Sequence, residues 1–132
     1  MSLDDGGRSQ ASFDLPADPE MWTLARMGVS AIATGIDFGI DDIEDLRLAV
    51  SELCSTCAVG ATGESRMVLE CSWDKSAISV RCEVNAIGFD EGEEDDLSRR
   101  ILAALTDEYE VGKLTDGARG GSFRKGREPA GH

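Results

Sequence analysis

Histidine is almost absent from this sequence, basic residues are scarce, and long apolar runs are missing. The one histidine among the 132 residues is His132, at the very end. That position removes Ser-His-Asp chemistry and His-ligated metal from consideration. Lys and Arg total 13 against 26 Asp and Glu, a formal net charge of −13. Nucleic-acid surfaces draw affinity from counterion release by basic groups, so neither DNA nor RNA is an expected partner. An anionic membrane repels the chain for the same reason. No apolar run approaches the ~20 residues of a membrane span, and residues 1–9 hold no hydrophobic signal core. A soluble, cytoplasmic protein is the expectation.

What is present suits one domain with a real core. Apolar types make up 41% of the chain, ordinary for a globular fold. Residues 9–125 read as that domain, between tails expected to be disordered at 1–8 and 126–132. Cys54, Cys57, Cys71 and Cys82 are read as reduced packing residues, because the core needs no covalent staples. Cys54 and Cys57 form a C-x-x-C, but it falls inside a helical stretch. A zinc site needs two further ligands beside it, and a thioredoxin-type site needs the pair to open a helix after a strand.

Along the chain, Ala11, Phe13 and Leu15 alternate with polar residues and predict a first strand. Asp18 offers an N-cap and Pro19 a first helical position, and Trp22, Ala25, Val29 and Ile32 mark a helical face ending at Gly35. The clearest helix spans about 41–59, with Ile43, Leu46, Val50, Leu53 and Cys57 at three- and four-residue steps. Asp42, Glu44 and Asp45 load the positive end of its dipole. Met67, Leu69, Cys71 and Trp73 alternate with polar residues, as do Ile78, Val80, Cys82 and Val84. The short 74–76 connection makes these strands an antiparallel hairpin. The acidic run 90–96 reads as a solvated loop or helix entry. A third helix carries Leu97, Ile101, Ala104 and Leu105. Two last strands cover 108–114 and 122–125. The order strand, helix, helix, hairpin, helix, hairpin predicts an α+β two-layer sandwich, a mixed, mainly antiparallel sheet with helices on one face.

Glu52 lies off the apolar stripe of the second helix, with Thr56 one turn further on the same face. A carboxylate and a hydrogen-bonding side chain at i and i+4 can line a pocket over a sheet. A solvated Glu on an amphipathic helix is the commoner explanation of such a residue.

The segment 45–56, DLRLAVSELCST, resembles the helix-two motif of the anti-sigma-factor serine kinases, small relatives of the histidine-kinase-type (Bergerat) ATPases. Leu15-Pro16-Ala17-Asp18-Pro19-Glu20 with Ala25-Arg26 is similar to that family's entry into its first helix. Ala104-Leu105-Thr106-Asp107-Glu108 resembles its turn after the third helix, and Gly120-Gly121-Ser122-Phe123 its closing glycine-plus-hydroxyl strand. The likeness runs in register from about 12 to 125 and implies a Bergerat ATPase-like fold. It also implies Mg-ATP as cofactor, Glu52 as general base, and Thr56 where the family holds Mg²⁺ with Asn. Ser122 falls among the nucleotide contacts, Arg26 at the partner and nucleotide end, and a homodimer is implied.

Departures from the family pattern bear on nucleotide binding. If Gly88-Phe89-Asp90 ends the family's D-x-G-x-G, Val84 stands where the adenine-binding Asp belongs and Ala86 on the first glycine. A shift of one residue offers Asn85 to adenine instead, and both registers stay open. The later phosphate-wrapping G-x-G-L falls on Asp96-Leu97-Ser98-Arg99, without either glycine. A Cβ there blocks close backbone approach, and Asp96 adds negative charge beside a polyanion. Phosphoryl transfer needs cradle, metal and base together. The expectation is therefore a binding module for a sigma factor or its antagonist, with weak or absent ATP binding and no resident cofactor. The alternative is an active serine/threonine kinase using Mg-ATP on an anti-anti-sigma protein.

Overall fold

The computed structural model describes residues 8–85, 96–114 and 118–127. It runs β1 (Ser9–Pro16), α1 (Trp22–Gly35), α2 (Ile40–Cys57), β2 (Arg66–Trp73), β3 (Ala77–Val84), α3 (Asp96–Leu105), β4 (Glu108–Lys113) and β5 (Arg119–Gly126). The strands form one sheet in the order β1-β2-β3-β5-β4, and all four ladders are antiparallel. The α+β sandwich expected from the sequence is thus present. No parallel pair occurs among the described residues, so the expected mixed sheet is wholly antiparallel there.

Alternation decides which side of the sheet is covered. Cross-strand neighbours such as Ala11, Cys71, Val80, Phe123 and Tyr109 point one way, and Phe13, Leu69, Cys82, Gly121 and Val111 do likewise one row on. These rows meet the helices and join Leu46, Val50 and Leu53 of α2 in a single core. α2 is the middle helix, packed against α1 on one flank and α3 on the other. Phe13 lies where Gly28 carries no side chain; a Cβ on Gly28 would stand 2.5 Å from the ring. That close approach seats α1 on the β1 edge.

Two local details, the start of α1 and the phase of α3, differ from the sequence reading. Asp18 and Pro19 open a short 3₁₀ turn, Pro19–Met21, and α1 begins only at Trp22. The Asp18 side chain makes no capping bond; its carbonyl accepts the Met21 amide at 2.9 Å. Gly35 does end α1, but the left-handed residue is Asp37 (φ 62°), which turns Phe38 back into the core. On α3 the buried positions are Ser98 and Leu102, whereas Leu97 is 61% exposed. Counting the stripe from Leu97 set the helix one residue out of phase, because an acidic first turn gives no apolar anchor.

The β2–β3 turn is fixed by one carboxylate. Asp74 accepts hydrogen bonds from the Ser76 amide, the Ser76 hydroxyl and the Ala77 amide. The Ser76 bonds chiefly hold its carboxyl below the usual carboxylate range.

Candidate functional site

The two flanks of α2 carry different chemistry. On the α1 side, Arg26 donates from Nη1 to Ser51 Oγ at 3.1 Å and from Nη2 to Thr23 Oγ1 at 2.8 Å. That half-buried guanidinium ties the two helices together. A step round the helix, Glu52 and Thr56 lie one turn apart on a shared flank. Glu52 is half-buried, while Thr56 is 8% exposed and its Oγ1 has no hydrogen-bond partner among the described residues. An orphaned buried hydroxyl is costly, about 1–3 kcal/mol, and marks a place that a ligand or water can complete.

Arg119 stands beside it. This residue opens β5, is 2% exposed, and donates Nε to the Thr56 carbonyl at 3.2 Å. Thr56 contributes one of the last four carbonyls of α2, which have no partner within the helix. The last turn of α2 contains no basic residue, so the cation that answers its negative end comes from the sheet. Sequence reasoning missed Arg119 because it started the last strand at Ser122. The available signal was its phase: Arg119, Gly121, Phe123 and Lys125 alternate on the helix-facing side.

The remaining expected site residues are dispersed. Asn85 is exposed at the end of β3, where its Oδ1 accepts the Arg66 amide at 2.7 Å and its own amide donates to the Arg66 carbonyl. It closes the β2–β3 ladder. Ser122 lies between Arg81 and Glu110 in register, on the sheet face away from α2. Gly88 and the acidic run as far as Asp95 lie outside the described residues. Asp96 opens α3 on the surface, and Arg99 donates to the Val111 carbonyl at 3.3 Å. Arg99 thereby anchors α3 to β4.

The four cysteines are free and buried, Cys54 and Cys57 on α2 and Cys71 and Cys82 on the sheet. Cys57 Sγ approaches the Cys82 carbonyl at 3.7 Å. Hydrogen bonding with the Cys54 and Cys57 thiols, and then burial, push the Cys82 thiol strongly up. Burial, with Cys54 nearby, raises Cys71 to about 11. High pKa and enclosure both suppress thiolate reactivity. Thiol titration of the native protein with a disulfide reagent should find no fast-reacting group, and all four should react once guanidinium unfolds the chain. A thiol reacting rapidly in the native state would show that this cluster opens.

No family model matches the chain. Among curated relatives, the Serine-protein kinase RsbW of Bacillus licheniformis is 34% identical over 107 residues, covering 80% of this chain and 65% of the relative. The Serine-protein kinase RsbW of Bacillus subtilis (strain 168) is 29% identical over 111 residues, 80% of this chain and 66% of the relative. The chain thus spans about two thirds of the length of these relatives. A crystal structure of the RsbU and RsbW domains of a Mycobacterium tuberculosis protein superposes with a TM-score of 0.69 over 92% of this chain and 34% of that one. At 16% identity that likeness speaks for the fold.

Proposed function

The chain belongs to the anti-sigma-factor serine kinase family of RsbW, and from that premise we propose that it is an anti-sigma regulatory factor working by binding alone. Its partner is a sigma factor or the antagonist protein that releases one, and ATP binding is weak or lost. The observation that carries this reading is the corner formed by Thr56 and Arg119. The family resemblance puts an Mg²⁺-holding Asn at position 56. Here that position offers one neutral hydroxyl, with a buried guanidinium on the carbonyl of the same residue. Mg²⁺ demands near-octahedral oxygen coordination, and a fixed cation alongside opposes it. Asn85 spends its amide oxygen on Arg66, and Ser122 stands on the far side of the sheet. These residues do not fit Mg-ATP.

Calorimetry decides the point. Mg-ATP should bind no more tightly than about 0.1 mM, roughly −5.5 kcal/mol. Micromolar affinity would favour the second reading, a serine/threonine kinase acting on an anti-anti-sigma protein. The retained Glu52 and the unpartnered Thr56 hydroxyl support that reading. Glu52→Gln would then abolish transfer and leave nucleotide binding largely intact, because it removes the proton acceptor and little volume.

The net charge of −13 suits a basic partner, since sigma factors present DNA-contacting surfaces that an acidic protein can cover. Family kinship supports a homodimer, with Arg26 at the partner end, where Ser51 and Thr23 already fix its orientation. Association should slow markedly once salt shortens the Debye length below ~8 Å, and dissociation should respond less. Retention of candidate sigma factors and antagonists on the immobilised protein at low salt checks for the partner. Retention of none of them would remove the binding reading.

A further inference from the structure

The sheet face turned away from the helices carries an open groove of about 550 Å³. Ser72, Ser79 and Ser122 carry short side chains on its floor, and Arg81 and Arg124 stand on the middle strands β3 and β5, directly across from Glu70 and Glu108. Glu70 rises from β2 on one side, and Glu108 and Glu110 from β4 on the other. Arg81 and Arg124 also project into it, but each is matched within the chain. Arg81 Nε lies 3.5 Å from Glu83, and Arg124 Nη1 lies 3.7 Å from Asp107. The side chains of Glu70, Glu108 and Glu110 make no hydrogen bond or ion pair among the described residues. The charge left unanswered in the groove is negative.

Its dimensions select an occupant. From β2 to β4 the sheet takes three steps, through β3 and β5, or about 14 Å at ~4.8 Å per strand. An α-helix with its side chains is about 10–12 Å across. A helix along the strands can therefore lie over β3 and β5, above Arg81 and Arg124, with a carboxylate row on each flank. Glu108 and Glu110, two residues apart on one strand, are spaced by about 6.8 Å, near the ~5.4 Å of a helical turn. Basic residues one turn apart on a helix flank can meet both, while one on the opposite flank meets Glu70. A second copy of the same face does not fit, because two open grooves set face to face leave a void between them.

We infer that this groove is a docking site for a cationic helix of a partner protein, with Glu70, Glu108 and Glu110 as its charge contacts. The inference rests on the partner-binding reading but has its own readout. The probe is an alanine-based 18-residue helical peptide with two arginines one turn apart on one flank and a third on the other. It is titrated into ¹⁵N-labelled protein at physiological salt, beside a version with glutamates in their place. Saturable shifts should centre on the amides of Ser72, Ser79, Ser122 and Glu110, with the acidic peptide silent. The triple variant Glu70→Gln, Glu108→Gln, Glu110→Gln should bind the basic peptide about tenfold more weakly.

Ser79→Trp fills the groove from its solvent side. It should block the peptide while leaving circular dichroism and melting unchanged. Shifts centred on the acidic start of α2, no saturable shift, equal binding by the triple variant, or self-association through this face would each overturn the inference. None of these outcomes touches the sigma-factor retention assay, so the two readings fail separately.

Discussion

Replacing Lys125 with Met should destabilise the protein by about 3 kcal/mol, the lower end of what removing one member of a buried ion pair costs. Lys125 is 8% exposed, and its Nζ lies 3.7 Å from the carboxylates of both Asp42 and Asp45. It also donates to the Leu105 carbonyl at 3.0 Å. One ammonium therefore holds the start of α2, the end of α3 and the sheet together. Without it, the buried Asp42 loses its ion pair to the sheet. Asp45 is 40% exposed at its side chain and can turn to water, which moderates the loss. Urea unfolding followed by circular dichroism measures the effect. Lys125→Met combined with Asp42→Asn should recover part of it, because the buried carboxylate is then removed together with the cation that faced it. A Lys125→Met protein as stable as the parent would mean that the pair is not what seats α2.

Leu53→Ala should cost a further-reaching 2–5 kcal/mol, roughly the range for emptying a core leucine site. Leu53, on the buried face of α2, is fully enclosed, and its Cδ1 fills the space that Gly121 leaves open on β5. A Cβ on Gly121 would come within 2.8 Å of Leu53 Cδ1, Val111 Cγ1 and the Glu110 carbonyl oxygen. The two side-chain ends can move, but the backbone oxygen resists, so Gly121→Ala alone should cost about 1–3 kcal/mol. The pair is coupled: the new methyl occupies part of the cavity made by Leu53→Ala. The double variant should lose clearly less than the sum of the singles. Strict additivity in equilibrium unfolding would show that Leu53 and Gly121 are not in contact.

Both predictions centre on contacts between α2 and β5, and these are what the sequence exposed least. The helix itself was plain, because its apolar residues recur over five turns and no glycine or proline interrupts them. The hairpin of β2 and β3 was equally plain, since clean alternation and a three-residue turn leave little freedom. β5 was harder. Its inward positions are Arg119, Gly121, Phe123 and Lys125, and only Phe123 has the apolar character that alternation looks for. Two inward cations and a glycine read as a surface segment until Thr56, Asp42 and Asp45 are seen above them. The same difficulty hid the third helix's phase. Glu52 and Thr56 were legible as one helix face, whereas the placement of Ser122 on the opposite side of the sheet depends on a strand register that single-sequence spacing does not fix.

The strand order also governs how the chain reaches this state. β1 pairs with β2 only across both α1 and α2, bringing Ser9 beside Trp73. β3 must wait for β5, so Ala77 meets Gly126 after α3 and β4 have been made. Each closure removes the entropy of a long loop before any ladder bond repays it. The α1–α2 pair and the β2–β3 hairpin are the local pieces that can form early, and neither edge of the sheet can be finished by them. Folding should accordingly run slower than in a helical bundle of equal length, in the range of α/β domains with distant pairings. Changes confined to β1 should then speed unfolding more than they slow refolding, because the edge joins last.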